Sequence, residues 1–280
     1  MNISACIRNA WFVAVAVLLF PLVACNGVIY DEEGDCSVYY RLKFRYDMNL
    51  KWADAFANEV SSVHLYAFDR SGVLAWQKAE QIVPETAEDY SMLLDLPPGD
   101  YKLLAWCGLE NDGERDESFS VPEVRVGETR MEQLQCALNR QHDESGAYSE
   151  EHLYRLFHGT LDVSLPVNDD GGSYEYTMPL TKNTNHVRVI LQHLSGVDVN
   201  KEDFIFRIDD ENGLMAYDNE LLADENINYR PWDIQNVEAG IGKDGTRAIS
   251  NVKGLVADFT VGRLIETHRK KMILAIDTKD

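Results

Sequence analysis

The sequence predicts an all-β protein built from antiparallel sandwiches, on three observations. Short runs alternate apolar and polar residues with period two, turn clusters rich in Gly, Pro, Asp and Asn separate them, and long helical patterns are scarce.

Tyr39 to Arg45 alternates as a half-buried strand should. In NLKWADAFANEVSSV, Trp52, Phe56 and Val60 recur at intervals of four, which predicts a short helix with all three on one face. SSVHLYAF (61–68) then sets Val63, Leu65 and Ala67 opposite His64, Tyr66 and Phe68. Asp69-Arg70-Ser71-Gly72 makes a turn, and VLAW (73–76) returns as a hairpin strand. In DLPPGDYKLLAWCGL (95–109), Pro97-Pro98-Gly99-Asp100 turns into a central strand, Tyr101 to Trp106.

NDGERDE (111–117) reads as a polar loop, and NRQHDESGAYSEEH (139–152) interrupts the strands. A short helical turn is expected near Glu150 to Phe157. After the turn cluster PVNDDGGS (166–173), strands resume with YEYTMPL, HVRVILQHL (186–194), FIFRIDD (204–210), GLMAYDN, LVADFTV (255–261) and KKMILAID (270–277). A boundary near residue 165 divides an N-terminal sandwich (36–165) from a C-terminal one (166–280). Because KKMILAIDTKD closes the sequence directly after a strand, the second sandwich is expected to be small and to lack a final strand.

The segment ahead of the first strand reads as a leader. Trp11 to Ala24 is an apolar run of 14 residues containing Pro21, short of the roughly 20 a membrane-spanning helix needs. Arg8 supplies a weak positive flank, and Leu22-Val23-Ala24-Cys25 resembles the bacterial lipobox, in which the cysteine becomes the first mature residue and carries lipid. Ordinary secretion and a retained anchor helix are the alternatives. Residues 1–24 are thus the signal, Cys25 the lipidation site, and 25–35 a tether. Each buried methylene contributes about 0.8 kcal/mol, so several acyl chains together hold a protein on a bilayer. Asn26 follows the cysteine where an inner-membrane retention signal would be acidic, which points to the outer membrane.

Composition narrows the partners. With 26 basic and 47 acidic residues the net charge is −21, or −22 once Arg8 leaves with the signal. Nucleic-acid binding relies on Lys and Arg neutralising phosphates, so this balance excludes it. Of five cysteines, Cys6 leaves with the signal and Cys25 takes lipid, leaving Cys36, Cys107 and Cys136 in an oxidising compartment. Cys107 and Cys136 are the candidate disulfide pair, and three unpaired thiols are the alternative.

Catalytic and metal motifs do not appear. None of the seven histidines sits in HExxH, and G-x-S-x-G, P-loop and G-x-G-x-x-G patterns are lacking. His152 and His158 bracket an apolar run and read as structural or surface residues. Asp224, Asn226 and Asn228 alternate like the start of a calcium loop, but Tyr229 stands where glycine must turn and Gln235 where a glutamate must ligate. That loop is read as solvated, with no metal and no cofactor beyond the covalent lipid.

The ordered set of FRYDMN, the ADAF run, VHLYAFDRSG, LPPGDYKLLAWCGL, LFHGTL (156–161) and TKNTNHVRVIL (181–191) behind a lipobox resembles the fimbrial anchor-subunit lipoproteins of Bacteroidales, the FimB type that includes minor-fimbrium anchoring subunits. The resemblance implies two transthyretin-like sandwich domains and no enzymatic activity. It also implies an outer-membrane lipoprotein that holds the base of a fimbrium, limits its length and meets the first shaft subunit by β-strand addition. In that scheme the anchor supplies a C-terminal strand to the shaft. Backbone hydrogen bonds give such a contact its affinity, and alternate side chains set its register. Trp52, Phe56, Tyr66, Phe68, Tyr101 and Trp106 match the family pattern and read as core. An alternative function is a surface lipoprotein that binds glycan through a sandwich face, with Trp76 and Trp232 as the candidate contacts.

Overall fold

The computed structural model describes residues 37–279 except 51, 112–113, 116–117, 169–170, 194, 196, 240–251 and 267–270. The signal, Cys25, the tether and Cys36 lie outside the described residues. Tyr39–Val167 with Ser173–Asp280 forms one compact unit. The other comprises Met1–Val38 and Asn168–Gly172, and within it the Gly172 N–H donates to the Ser37 carbonyl at 3.2 Å.

Strands dominate, as the alternation predicts. The first half holds β1 (Val38–Arg45), β2 (Ser62–Phe68), β3 (Leu74–Gln81), β4 (Met92–Leu94), β5 (Gly99–Cys107), β6 (Glu110–Asn111), β7 (Glu114–Arg115) and β8 (Phe119–Ser120). Then come β9 (Cys136–Leu138), β10 (Gln141–Asp143), β11 (Gly146–Ser149), β12 (Phe157–Leu165), β13 (Gly172–Pro179), β14 (Thr181–Lys182) and β15 (Asn185–Gln192). The last are β16 (Phe204–Asp210), β17 (Leu214–Met215), β18 (Ile227–Tyr229), β19 (Asp233–Ala239), β20 (Val252–Val261) and β21 (Ile273–Thr278).

The central sheet has the order β14-β12-β5-β2-β3. Its register sets Phe157 against Cys107 and Leu165 against Gly99, and β2 lines up with Val63 opposite Cys107. Because side chains alternate across the pleat, Leu103, Ala105 and Cys107 share one face with Val63 and Leu65, while Leu104 and Trp106 share the other with Tyr66 and Phe68. Both faces are buried.

The first face packs on the sheet of order β13-β1-β4. Gly159 of β12 shows how close the layers come, since a Cβ there would lie 2.7 Å from the Met178 sulfur and 2.8 Å from a Leu180 methyl. Tyr46, just past β1, meets Phe157 edge-on at 5.0 Å. Phe44, Phe56 and Tyr90 stack together at 5.6–6.1 Å.

The second face joins the core of the C-terminal half. Trp106, Tyr66 and Phe68 belong to the same apolar cluster as Phe206, Ile208, Tyr229, Leu255, Ala257 and Phe259. Around that cluster stand the sheets β10-β11-β18-β16-β21 and β15-β20-β19.

Three local expectations are corrected. The helix, α1, spans only Phe56–Glu59. Phe56 and Val60 are buried as expected, but Trp52 is 90% exposed in the preceding loop with φ of 53°. The Asp54 carboxylate accepts from the Tyr46 and Phe56 backbone N–H groups, each at 3.0 Å, and closes that loop before the helix begins. Residues 150–156 carry no helical turn; Leu153 and Leu156 are buried in irregular chain leading into β12. Part of the loop expected at 111–117 pairs as the β6–β7 hairpin.

Candidate functional site

The edge of β21 that pairs with no other described strand is the feature best suited to meeting another chain. On one side β21 pairs antiparallel with β16, Phe206 opposite Ile276 and Ile208 opposite Leu274. Beyond β21, no described strand continues the sheet. The Lys279 N–H donates to the Asp203 carbonyl at 2.9 Å, in step with this register. Antiparallel ladders alternate hydrogen-bonded and non-bonded pairs, so the backbone groups of Leu274, Ile276 and Thr278 point away from β16.

Side chains on this edge are incompletely covered. Directly opposed residues project to the same face, which places Leu274 and Ile276 beside the buried Ile208 and Phe206. Yet Leu274 is 44% and Ile276 38% exposed, so the core thins at β21. Burying a Leu or Ile fully contributes about 1.5–3 kcal/mol, and a covering strand would recover roughly half of that at each.

Other long edges are protected by charge or proline. On β3, Lys78 pairs with Glu80 at 2.6 Å, and Leu74 is bonded to the loop at Gly127 and Thr129. Glu175 and Pro179 lie on β13, His186 and Arg188 on β15, and Asp233 begins β19. In contrast, β21 offers four consecutive apolar residues, Ile273 to Ile276, before Asp277. Apolar edges with little charge are those that template pairing with another chain, and on β21 only Asp277, bridged to Arg207 at 3.0 Å, carries one.

The remaining candidates take structural places. Cys107 and Cys136 are free, buried thiols rather than a pair. Cys107 lies on the Leu103 face of β5, whereas Cys136 belongs to the cluster containing Trp106 on the opposite face. Burial pushes both thiols well above their ordinary pKa. The His158 ring sits 4.5 Å from Trp106, and its Nε2 donates to the Tyr217 carbonyl at 2.8 Å. Burial holds that imidazole down at about 4, so it is neutral.

Asp224 pairs with Arg140 at 2.7 Å, and Asn226 and Asn228 donate to Asp209 at 3.3 and 3.2 Å. Those residues are engaged with one another, and among the described residues no cluster could hold a metal ion. Trp76 is half-buried on β3. Trp232 is half-buried between His152 and His186, with ring centroids at 4.8 and 5.9 Å. Tyr101 is half-buried and lines an open cleft of about 620 Å³ with Asp69, Arg70, Asp100, Lys102 and Asp162. Arg70 pairs with Asp100 there, and Lys102 with Asp162 at 2.6 Å, while Asp69 and Glu132 add two further carboxylates, so the cleft is acidic on balance. Neither candidate tryptophan lines it. No helix among the described residues is long and apolar enough to cross a membrane.

Sequence reasoning placed a strand at 270–277 but not the exposure of its inward side. The unbroken apolar run MILAI lacks the alternation of a strand covered on one face only, and on its own it suits a fully buried strand, so it gave no sign of that exposure.

Known proteins share this architecture. A Bacteroides thetaiotaomicron structure described as a candidate adhesin is 29% identical, with a TM-score of 0.72 over 87% of this chain and 76% of that one. A candidate polysaccharide-binding protein from the same organism is 25% identical, with a TM-score of 0.68 over 85% and 76%. The fimbrial anchor protein Mfa2 from Porphyromonas gingivalis superposes with a TM-score of 0.62 at 20% identity, over 86% and 78%, and shares the fold. In sequence, the minor fimbrium anchoring subunit Mfa2 of P. gingivalis is 24% identical over 227 residues, 80% of this chain and 66% of the relative, so the chain spans just under two thirds of that protein's length. With residues 32–279 matching its family description, the chain belongs to the fimbrillin-A associated anchor proteins Mfa1 and Mfa2.

Proposed function

We propose that this chain is an outer-membrane lipoprotein that anchors the base of a fimbrium and limits its length. Membership of the anchor family supports a fimbrial anchoring role, and the family is one of structural subunits rather than enzymes. Lipid on Cys25 holds the chain to the membrane, and residues 25–35 tether two sandwich domains, the first of which takes in β13 and β14 beyond residue 165. The single observation that carries the polymer contact is the free edge of β21, with its outward backbone groups and half-exposed Leu274 and Ile276. β21 is itself taken up in its own sheet, so the contact is addition of a shaft-subunit strand to that edge. The incoming strand aligns backbone donors with acceptors and sets apolar side chains over the thin part of the core.

The membrane half of this reading is tested by palmitate labelling and fractionation of wild type and Cys25→Ala. Label on wild type in the outer membrane, with an unlabelled Cys25→Ala protein released, is the expected result. A Cys25→Ala protein that stays with the membrane, beside an unlabelled wild type, overturns the lipid anchor.

A second reading, glycan binding, draws on the open cleft around Tyr101 and on the candidate polysaccharide-binding relative. Saccharide hydroxyls suit its carboxylates and cations, and the Tyr101 ring suits saccharide C–H groups. Glycan-array binding that disappears in Tyr101→Ala would favour it, and an array without hits would remove it.

A further inference from the structure

Met48, Leu50 and Trp52 are 70%, 100% and 90% exposed on one short loop, and Leu50 and Trp52 are the two most exposed large apolar side chains among the described residues. The loop is built rather than slack. Asn49 lies between them and turns inward, its side-chain amide donating to the Tyr46 carbonyl at 3.0 Å and the Ala53 carbonyl at 2.7 Å. The Trp52 N–H donates to the Asn49 carbonyl at 3.2 Å, and Ala55 N–H to the Tyr46 carbonyl at 2.9 Å. Asp54 closes the base through Tyr46 and Phe56. So firm a base under three bare apolar tips, one of them at a φ that bulky residues seldom adopt, points to a surface that receives them.

We infer that this loop dips into the bilayer interface and forms a second, non-covalent membrane contact. A projecting tip needs a medium that deforms around it, and tryptophan beside aliphatic residues is the composition that settles at headgroup depth. A flat protein patch would pack such tips poorly. Strong net negative charge argues against electrostatic adhesion to anionic lipid, which leaves apolar insertion as the attractive force. Reach is sufficient: the stretch from Cys25 to Ser37 can extend about 40 Å, more than the roughly 26 Å of β1 that separates Val38 from the loop. The inference rests on the lipid anchor proposed above, and it implies that the domain lies against the membrane in a fixed orientation.

The test uses full-length lipidated protein in phosphatidylethanolamine/phosphatidylglycerol vesicles carrying brominated acyl chains, which quench tryptophans at membrane depth. Wild type, Trp52→Phe and Met48→Asp/Leu50→Asp are floated with the vesicles and their emission compared. Quenching at least twofold greater in wild type than in Trp52→Phe, and reduced to the Trp52→Phe level in the double variant, is expected. Equal quenching in wild type and Trp52→Phe overturns the inference, as does a Trp52 shielded only when shaft subunits are added. Protein that fails to float overturns the lipid anchor along with it, whereas protein that floats with Trp52 in water overturns the loop contact alone.

Discussion

Cys107 and Cys136 are both fully buried, yet they belong to opposite faces of the central sheet. One faces the first sandwich and the other the core shared with the C-terminal half, with the β5 backbone between them. Burial disfavours the thiolate, which is the reactive form. Iodoacetamide at pH 8 should therefore leave both unmodified in the native protein and alkylate both in denaturant. Peptide mapping without reductant that finds a Cys107–Cys136 linkage would contradict this arrangement.

Gly108 stands at φ of 89°, and a Cβ there would lie 2.0 Å from the Arg155 carbonyl oxygen. Backbone cannot step aside as a side chain can. Gly108→Ala is expected to cost about 3 kcal/mol, combining left-handed strain with overpacking. Gly127 also has a positive φ, of 81°, but nothing lies within 4 Å of its Cβ position. Gly127→Ala should cost only about 1 kcal/mol, and urea denaturation of the two variants separates close approach from strain.

Asp258 is buried on β20 and is held by Arg188 at 2.7 and 3.0 Å and by His186 at 3.0 Å. The bonds from Arg188 hold its carboxyl below the ordinary carboxylate range despite burial. A carboxylate depressed in the folded state contributes stability that is present above its unfolded pKa, near 3.9, and lost as pH falls through the folded value. Asp258→Asn should therefore destabilise by about 2 kcal/mol at pH 7, discounted for the exposed guanidinium. The difference from wild type should shrink below about pH 4. Thermal melts from pH 7 to 3 provide the check.

Trp52→Gly should behave opposite to most removals of a large aromatic. Its side chain is exposed, so little packing is lost, and glycine accepts φ of 53° without strain. An unchanged or slightly higher stability, by up to about 1 kcal/mol, is expected from chemical denaturation.

Much of this fold was legible because sheets write themselves in period two. Val63, Leu65 and Ala67 against Tyr66 and Phe68 named both faces of β2, and Tyr101 to Trp106 fell on β5. The misreadings share a cause: spacing reports where apolar residues recur, not what closes the backbone around them. Trp52, Phe56 and Val60 have helical spacing, but the Asp54 carboxylate ends the loop after Trp52 and leaves it in water. Leu153 and Leu156 have the spacing of a helical turn, yet their segment runs as irregular chain to β12. The gathering of Trp106, Phe206 and Tyr229 into one apolar cluster spans a hundred residues or more of chain, which local pattern does not carry. The open edge of β21 needed the sheet order, because an apolar run reads alike whether a strand is central or last.

Capture of shaft subunits by β21-edge variants tests the polymer contact most directly. Leu274→Lys/Ile276→Lys places charge on the free edge, and Ile190→Lys, at an exposed site on β15, serves as the control. Shaft subunits from the same organism are applied to each immobilised protein after matched circular dichroism spectra show that all three fold as wild type does. At least a tenfold loss of affinity for the β21 variant, about 1.4 kcal/mol or more, is expected, with wild-type capture by the control. Full capture by Leu274→Lys/Ile276→Lys would contradict the β21 contact.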